Sequence, residues 1–204
     1  MTAAAAKPNR ARTLRTLQRA LSGAALLALS YCAWVVIGTE AHYAHEDQRL
    51  EDLMFASASP SDPPRQRARA ELLRSGLVGR LEVPSVGLRA IVQEGVDDDV
   101  LRFAAGHVPG TALPGEPGNV VIAAHRDTLF RPLKDVRPGD AVRLTTPDGA
   151  FEYAVTQVEV VEPTRLDVLE ARSPREATLV TCYPFHYVGK APLRFVVRAA
   201  ALAP

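Results

Sequence analysis

Residues 178–189 read TLVTCYPFHYVG, and their reading decides the fold. The run up to Thr181 is apolar and β-branched, which suits a strand, and an aromatic and a proline follow at once. Cys182 closes that strand and is one of only two cysteines in 204 residues. A thiol in this place can be buried filler, half of a disulfide, a metal ligand or a nucleophile.

Working outward, the surrounding chain has the same texture. From about Gly76, short β-like runs alternate with turn signals. GRLEVPSVGLRAIVQEG (79–95) supplies two strands and GNVVIAAH (118–125) a third. RPGD (137–140) is a turn. DAVRLTTPDGAFEYAVTQVEVVEP (140–163) reads as a hairpin about Pro147-Asp148-Gly149, with period-two alternation on both arms. ATLVTC (177–182) and PLRFVVRAAAL (192–202) are the last two strands. Short helical pieces fit at Asp97–Phe103, Leu129–Asp135 and Leu166–Ala171. About eight strands in some 130 residues, with few helices, predicts a closed barrel or a sandwich.

The N-terminal part has a different character. Residues 1–20 carry Lys7, Arg10, Arg12, Arg15 and Arg19 and no acid, and LSGAALLALSYCAWVVIG (21–38) follows without a charge. As a helix the run would span about 27 Å, close to the thickness of a bilayer's hydrocarbon core. The basic flank keeps the N-terminus in the cytoplasm and sends the remainder out. A cleaved signal peptide is the competing reading, but no clear small-x-small cleavage site follows, so an uncleaved anchor is expected. Tyr31 before Cys32 argues against a lipoprotein site. Residues 39–56 read as a helical stem and the Pro-, Ser- and Arg-rich 57–71 as a spacer, so 39–75 connects the anchor to the β-rich domain at 76–204. Net charge is +1, so no global field argues for nucleic acid.

On this topology Cys182 is a lone thiol in an oxidising compartment, with Cys32 in the membrane and out of reach. An unassisted thiol is only about 3 % thiolate at pH 7, so a nucleophile needs a base or a cation. His125 ends an apolar strand, where its ring can project at a rim and transfer protons. His125-Arg126-Asp127 also matches the first letters of a kinase catalytic loop, but the rest of that motif and a Gly-rich phosphate loop are missing. Arg194 lies one strand beyond Cys182. Alternation puts it on one face with Val196 and Arg198, opposite Phe195 and Val197.

These features together resemble the sortases, membrane-anchored cysteine transpeptidases of the bacterial cell surface. The resemblance is carried by Thr178-Leu179-Val180-Thr181-Cys182 with Tyr183-Pro184-Phe185, by EGVDDDVLRFAAGHVPGTALPGEPGNVVIAAHRD (94–127), and by Ala191-Pro192-Leu193-Arg194-Phe195. It covers roughly residues 76–200, and its wording is most like class D. It implies a mainly β fold, with 76–204 as the catalytic domain: an eight-stranded closed barrel with short helices behind a transmembrane helix. It implies Cys182 as nucleophile, His125 as general acid/base and Arg194 as stabiliser of the oxyanion. It further implies cleavage of an LPxTG-like sorting signal between Thr and Gly, through a thioacyl enzyme. The partners would be surface proteins carrying that signal and an amine acceptor, such as a peptidoglycan precursor or a pilin lysine. No metal or organic cofactor is required.

Thr181 and His186 are expected to touch substrate, and His107 to be structural or rim-placed. Asp97-Asp98-Asp99 could suggest calcium, which some relatives use, but a helix N-terminus favours such acids without a metal. Two alternatives remain. An L,D-transpeptidase would want a Ser-x-Gly-Cys-like context around its nucleophile, where this chain has Leu-Val-Thr-Cys. An anchored β-barrel binding module would leave Cys182 inert.

Overall fold

A computed structural model describes residues 14–15, 17–34, 48, 74 and 76–202. Eight strands run in the order β1 (Leu77–Val83), β2 (Leu88–Glu94), β3 (Ala105–His107), β4 (Gly118–Ala123), β5 (Ala141–Thr146), β6 (Gly149–Val161), β7 (Arg175–Tyr183) and β8 (Leu193–Ala201). They close into a barrel ordered β1-β2-β3-β4-β7-β8-β6-β5. The open choice between barrel and sandwich is thereby settled. β2/β3 and β4/β7 pair in parallel, and every other neighbouring pair is antiparallel.

Alternation fills the barrel. Leu81, Val83, Ile122, Leu144, Leu179 and Val197 point inward and are buried. Each such side chain contributes about 1.5–3 kcal/mol on leaving water. The outer face of β6, β7 and β8 is also covered. There Val161, Val168 and Val196 form a second cluster, with Leu169 and Val180 packed on it.

The short helical pieces shrink to single turns. Asp98–Leu101 is α-helical, and Arg131–Asp135 and Leu166–Leu169 are 3₁₀ turns. Asp97 caps the first, its Oδ1 accepting from the amides of Asp99 and Val100 at 3.1 Å each. That cap accounts for the acidic run as a helix start. β3 has no counterpart in the sequence reading. It is three residues long and depends on Gly106, where a Cβ would stand 2.2 Å from the Gly95 carbonyl oxygen.

The chain divides into two units, Met1–His42 and Tyr43–Pro204. Within the first, residues 17–34 are helical. The expected transmembrane helix is not found: no helix among the described residues is long and apolar enough to cross a membrane. The described stretch takes in Gln18 and Arg19 at one end and stops before Val35, Val36 and Ile37, which lie outside the described residues with Gly38. The stem and spacer of 39–75 also lie outside them, apart from Gln48 and Arg74.

Candidate active site

β7 and β8 bring two of the expected residues side by side. Their antiparallel register pairs Cys182 with Arg194, Val180 with Val196 and Thr178 with Arg198. Paired residues in such a ladder project to the same face. Leu179 and Val197 point into the barrel, so Cys182 and Arg194 share its outer face. The third residue comes from the other neighbour of β7. β4 runs parallel to β7, with Ala123 opposite Val180. His125 and Cys182 each lie two residues further along, so alternation turns both to the same outer face. The Ala124 amide still reaches the Val180 carbonyl at 3.3 Å, which carries the register past the end of β4.

Cys182 and Arg194 are half-buried and His125 is exposed. Arg194 Nη1 donates to the carbonyl oxygens of Leu193 (3.0 Å) and Ala191 (3.4 Å). These bonds fix the guanidinium at the start of β8 without consuming Nε or Nη2. A thiol, an imidazole and a guanidinium on one rim are groups able to act as a nucleophile, a proton carrier and a fixed positive charge.

Thr181 departs from its expected place. It pairs with Phe195, faces the barrel interior and is buried. Its Oγ1 donates to the Ala124 carbonyl at 2.7 Å, so the hydroxyl ties β7 to the backbone just before His125. His186 is exposed in the loop 184–192 that joins β7 to β8. His107 is buried, with Nδ1 2.6 Å from Glu94 Oε2 and Nε2 3.0 Å from both the Ala112 carbonyl and Thr111 Oγ1. Its ring nitrogens are occupied in holding β2 and β3 to the segment after them.

The loop 184–192 is tied down at Phe185, Tyr187 and Gly189. Phe185 packs on Tyr183 and Phe195, with ring centroids 6.0 and 5.1 Å apart. Arg126 Nη2 donates to the carbonyls of Tyr187 (2.6 Å) and Gly189 (3.1 Å), and the guanidinium stands 6.0 Å from the Tyr187 ring centroid. Sequence reasoning weighs Arg126 only as a letter of a kinase motif. Its position beside His125 is the one signal that could have found it.

The sortase domain model matches residues 81–202. Sortase D of Bacillus subtilis is 29 % identical over 184 residues, covering 85 % of this chain and 91 % of the relative. Sortase A of Bacillus anthracis is 31 % identical over 142 residues, covering 67 % of each. Among solved structures, a Clostridium perfringens Sortase D5 transpeptidase superposes with a TM-score of 0.63 at 26 % identity, covering 78 % of this chain and 98 % of that one. The chain belongs to the sortase family, a family of transpeptidases, and its likeness is to the class D members.

Proposed function

We propose that the protein is a membrane-anchored cysteine transpeptidase that cleaves an LPxTG-like signal between Thr and Gly and passes the Thr carbonyl to an amine. The observation that carries the reading is the β7–β8 register, which sets Cys182 against Arg194, with His125 following β4 on the same face. In the proposed mechanism the Cys182 thiolate attacks the Thr carbonyl carbon. The oxygen gains negative charge, and the Arg194 guanidinium faces it. The C–N bond breaks as His125 gives its proton to the departing Gly amine, leaving a thioester on Sγ. The incoming amine then loses a proton to His125 and attacks the thioester, and the thiolate leaves. No metal or organic cofactor enters any step. His186 stands in the loop beside this rim as a substrate contact, and Thr181 acts as a strut behind it.

The anchor belongs to the same proposal. Residues 21–38 carry no charge and follow a basic flank. Leu21, Leu26, Leu27, Leu29 and Trp34 are all exposed on the helical stretch, as a lipid-facing surface requires. The catalytic domain would then stand outside the cytoplasm, beside wall precursors and other surface proteins. Incubating the chain with an LPxTG-like peptide and no added amine should give an adduct on Cys182 of the mass of the N-terminal peptide fragment. Cys182→Ala should give none. An adduct that forms equally without the thiol, or peptide turnover in Cys182→Ala, contradicts the reading.

A further inference from the structure

The His107 imidazole closes β3, is 2 % exposed, and has acceptors opposite both of its nitrogens. Nδ1 lies 2.6 Å from Glu94 Oε2, on the neighbouring strand β2. Nε2 lies 3.0 Å from the Ala112 carbonyl oxygen, which can only accept. Its other neighbour at 3.0 Å is Thr111 Oγ1. A hydroxyl has one proton, and that of Thr111 goes to the Val108 carbonyl oxygen at 2.8 Å. Thr111 Oγ1 also accepts from the Val121 amide at 3.3 Å, and towards the ring it presents a lone pair.

A neutral imidazole carries one N–H and cannot serve both sides. With the proton on Nε2, the Nδ1 lone pair would stand 2.6 Å from a carboxylate oxygen. With it on Nδ1, the Nε2 lone pair would face the Ala112 carbonyl. Turning the Thr111 hydroxyl towards the ring would give up Val108 and still leave Ala112 opposed. Only the imidazolium donates on both sides, and Glu94 supplies the opposite charge that a buried cation needs. Glu94 and His107 line a surface cavity of about 320 Å³. Among the described residues lining it, Glu116 is the other titratable group, with Oε2 accepting from the Leu113 amide at 3.0 Å. β1 and β4 bring Leu77, Val78 and Ile122, which carry no charge. Both charged neighbours therefore favour the cation.

We propose that His107 is an imidazolium in the folded protein, and that its second proton works as a pH-sensitive clamp joining β2, β3 and the segment 108–116. The inference does not depend on the transpeptidase reading. Loss of that proton sets two lone pairs against each other on one side of the ring, and Glu94 is the side that gives way. Its side chain is 44 % exposed and can turn to water. The Ala112 carbonyl belongs to a segment tied to β4, since the Ala112 amide donates to Asn119 O at 3.1 Å. The tie between β2 and β3 is therefore the one released, at a strand of only three residues. A proton that the folded chain binds and the unfolded chain gives up adds stability at low pH, and the contribution disappears as pH rises.

The test uses the full chain in detergent, labelled with ¹⁵N at its five histidines. Ring nitrogen shifts at about pH 7, where an unassisted imidazole is mostly neutral, count the protons directly. His107 is expected to show two protonated nitrogens, identified by the loss of its signals in His107→Gln. In Glu94→Gln the new side-chain amide donates to Nδ1, and the ring should become the neutral Nε2–H form. The melting temperature tests the clamp. The difference between wild type and Glu94→Gln should be largest at about pH 5, above the usual range of a glutamate, and should narrow as pH rises to about 9. One unprotonated nitrogen on wild-type His107 at about pH 7 overturns the proposal. So does a ring that keeps both protons in Glu94→Gln, or a melting difference that stays flat across that range. Should His107→Gln not fold, Glu94→Gln identifies the same ring by the proton it loses, and decides alone.

Discussion

Arg194 is the residue whose proposed part is most sharply defined by chemistry. A guanidinium carries five N–H donors in a fixed plane and stays charged at any working pH. Arg194→Ala should reduce kcat by about 10²–10³, the scale of losing one oxyanion donor. Arg194→Lys should recover little, because an ammonium on a flexible stem does not reproduce the planar fork. His125→Ala should come close to abolishing turnover. Initial rates of peptide cleavage check all three, and near-wild-type activity in either alanine variant removes that residue from the mechanism. Alternation within PLRFVVRA is enough to separate Arg194 and Arg198 from Phe195 and Val197, and the ladder keeps that division. Alternation cannot say what covers Arg198, since its partners Asp167, Glu170 and Glu176 come from up to 31 positions away. The same limit applies to Thr181. Its neighbour Cys182 suggests substrate, whereas strand parity turns its hydroxyl the other way, to Ala124.

At the scale of elements, the long strands are legible because β-branched runs and turn residues mark them on the chain. β3 is not, because three residues, Ala105 to His107, carry no period, and the strand exists through close backbone packing. The β6–β7 segment reads as a short helix at Leu166–Ala171 and folds as a 3₁₀ turn at Leu166–Leu169. Its exposed edge carries a pH-dependent contact. The hydrogen-bonded Arg165 guanidinium, joined by Arg172, holds the Asp167 carboxyl down from 3.8 to about 2. A depressed carboxylate stabilises the folded state fully above the unfolded value and loses that contribution as pH falls through the folded one. The loss therefore occupies the window from about pH 4 to about pH 2. The melting-temperature difference between wild type and Asp167→Asn should be small, because the pair is solvent-exposed, and should shrink to nothing across that window. A difference that stays flat down through the window contradicts the assignment.

At the scale of the whole molecule, closure of the sheet sets β4, β7 and β8 side by side, so that His125, Cys182 and Arg194 come to one rim although the chain between the first two is long. A sequence shows strands more readily than it shows which strand neighbours which. The β4/β7 pairing is parallel and needs the whole hairpin of β5 and β6 to be laid down between its two members. Here the resemblance to sortases supplies what alternation cannot. The second feature at this scale is the proposed anchor. Protease added to intact spheroplasts should digest the catalytic domain, and a chain lacking residues 1–56 should be soluble, folded and active. Full protection of the domain from that protease contradicts the topology.

The central claim is acyl transfer to an amine, and the fate of the thioester tests it most directly. Water stands at about 55 M, whereas a bound, oriented amine can reach an effective molarity of about 10⁵ M or more in the best cases. The measurement is the product ratio when the protein receives an LPxTG-like peptide with and without millimolar triglycine. The account predicts slow hydrolysis alone and, with the amine, faster turnover and triglycine joined to the Thr carbonyl. Rapid hydrolysis with no amine incorporated would contradict it and mark the protein as a protease.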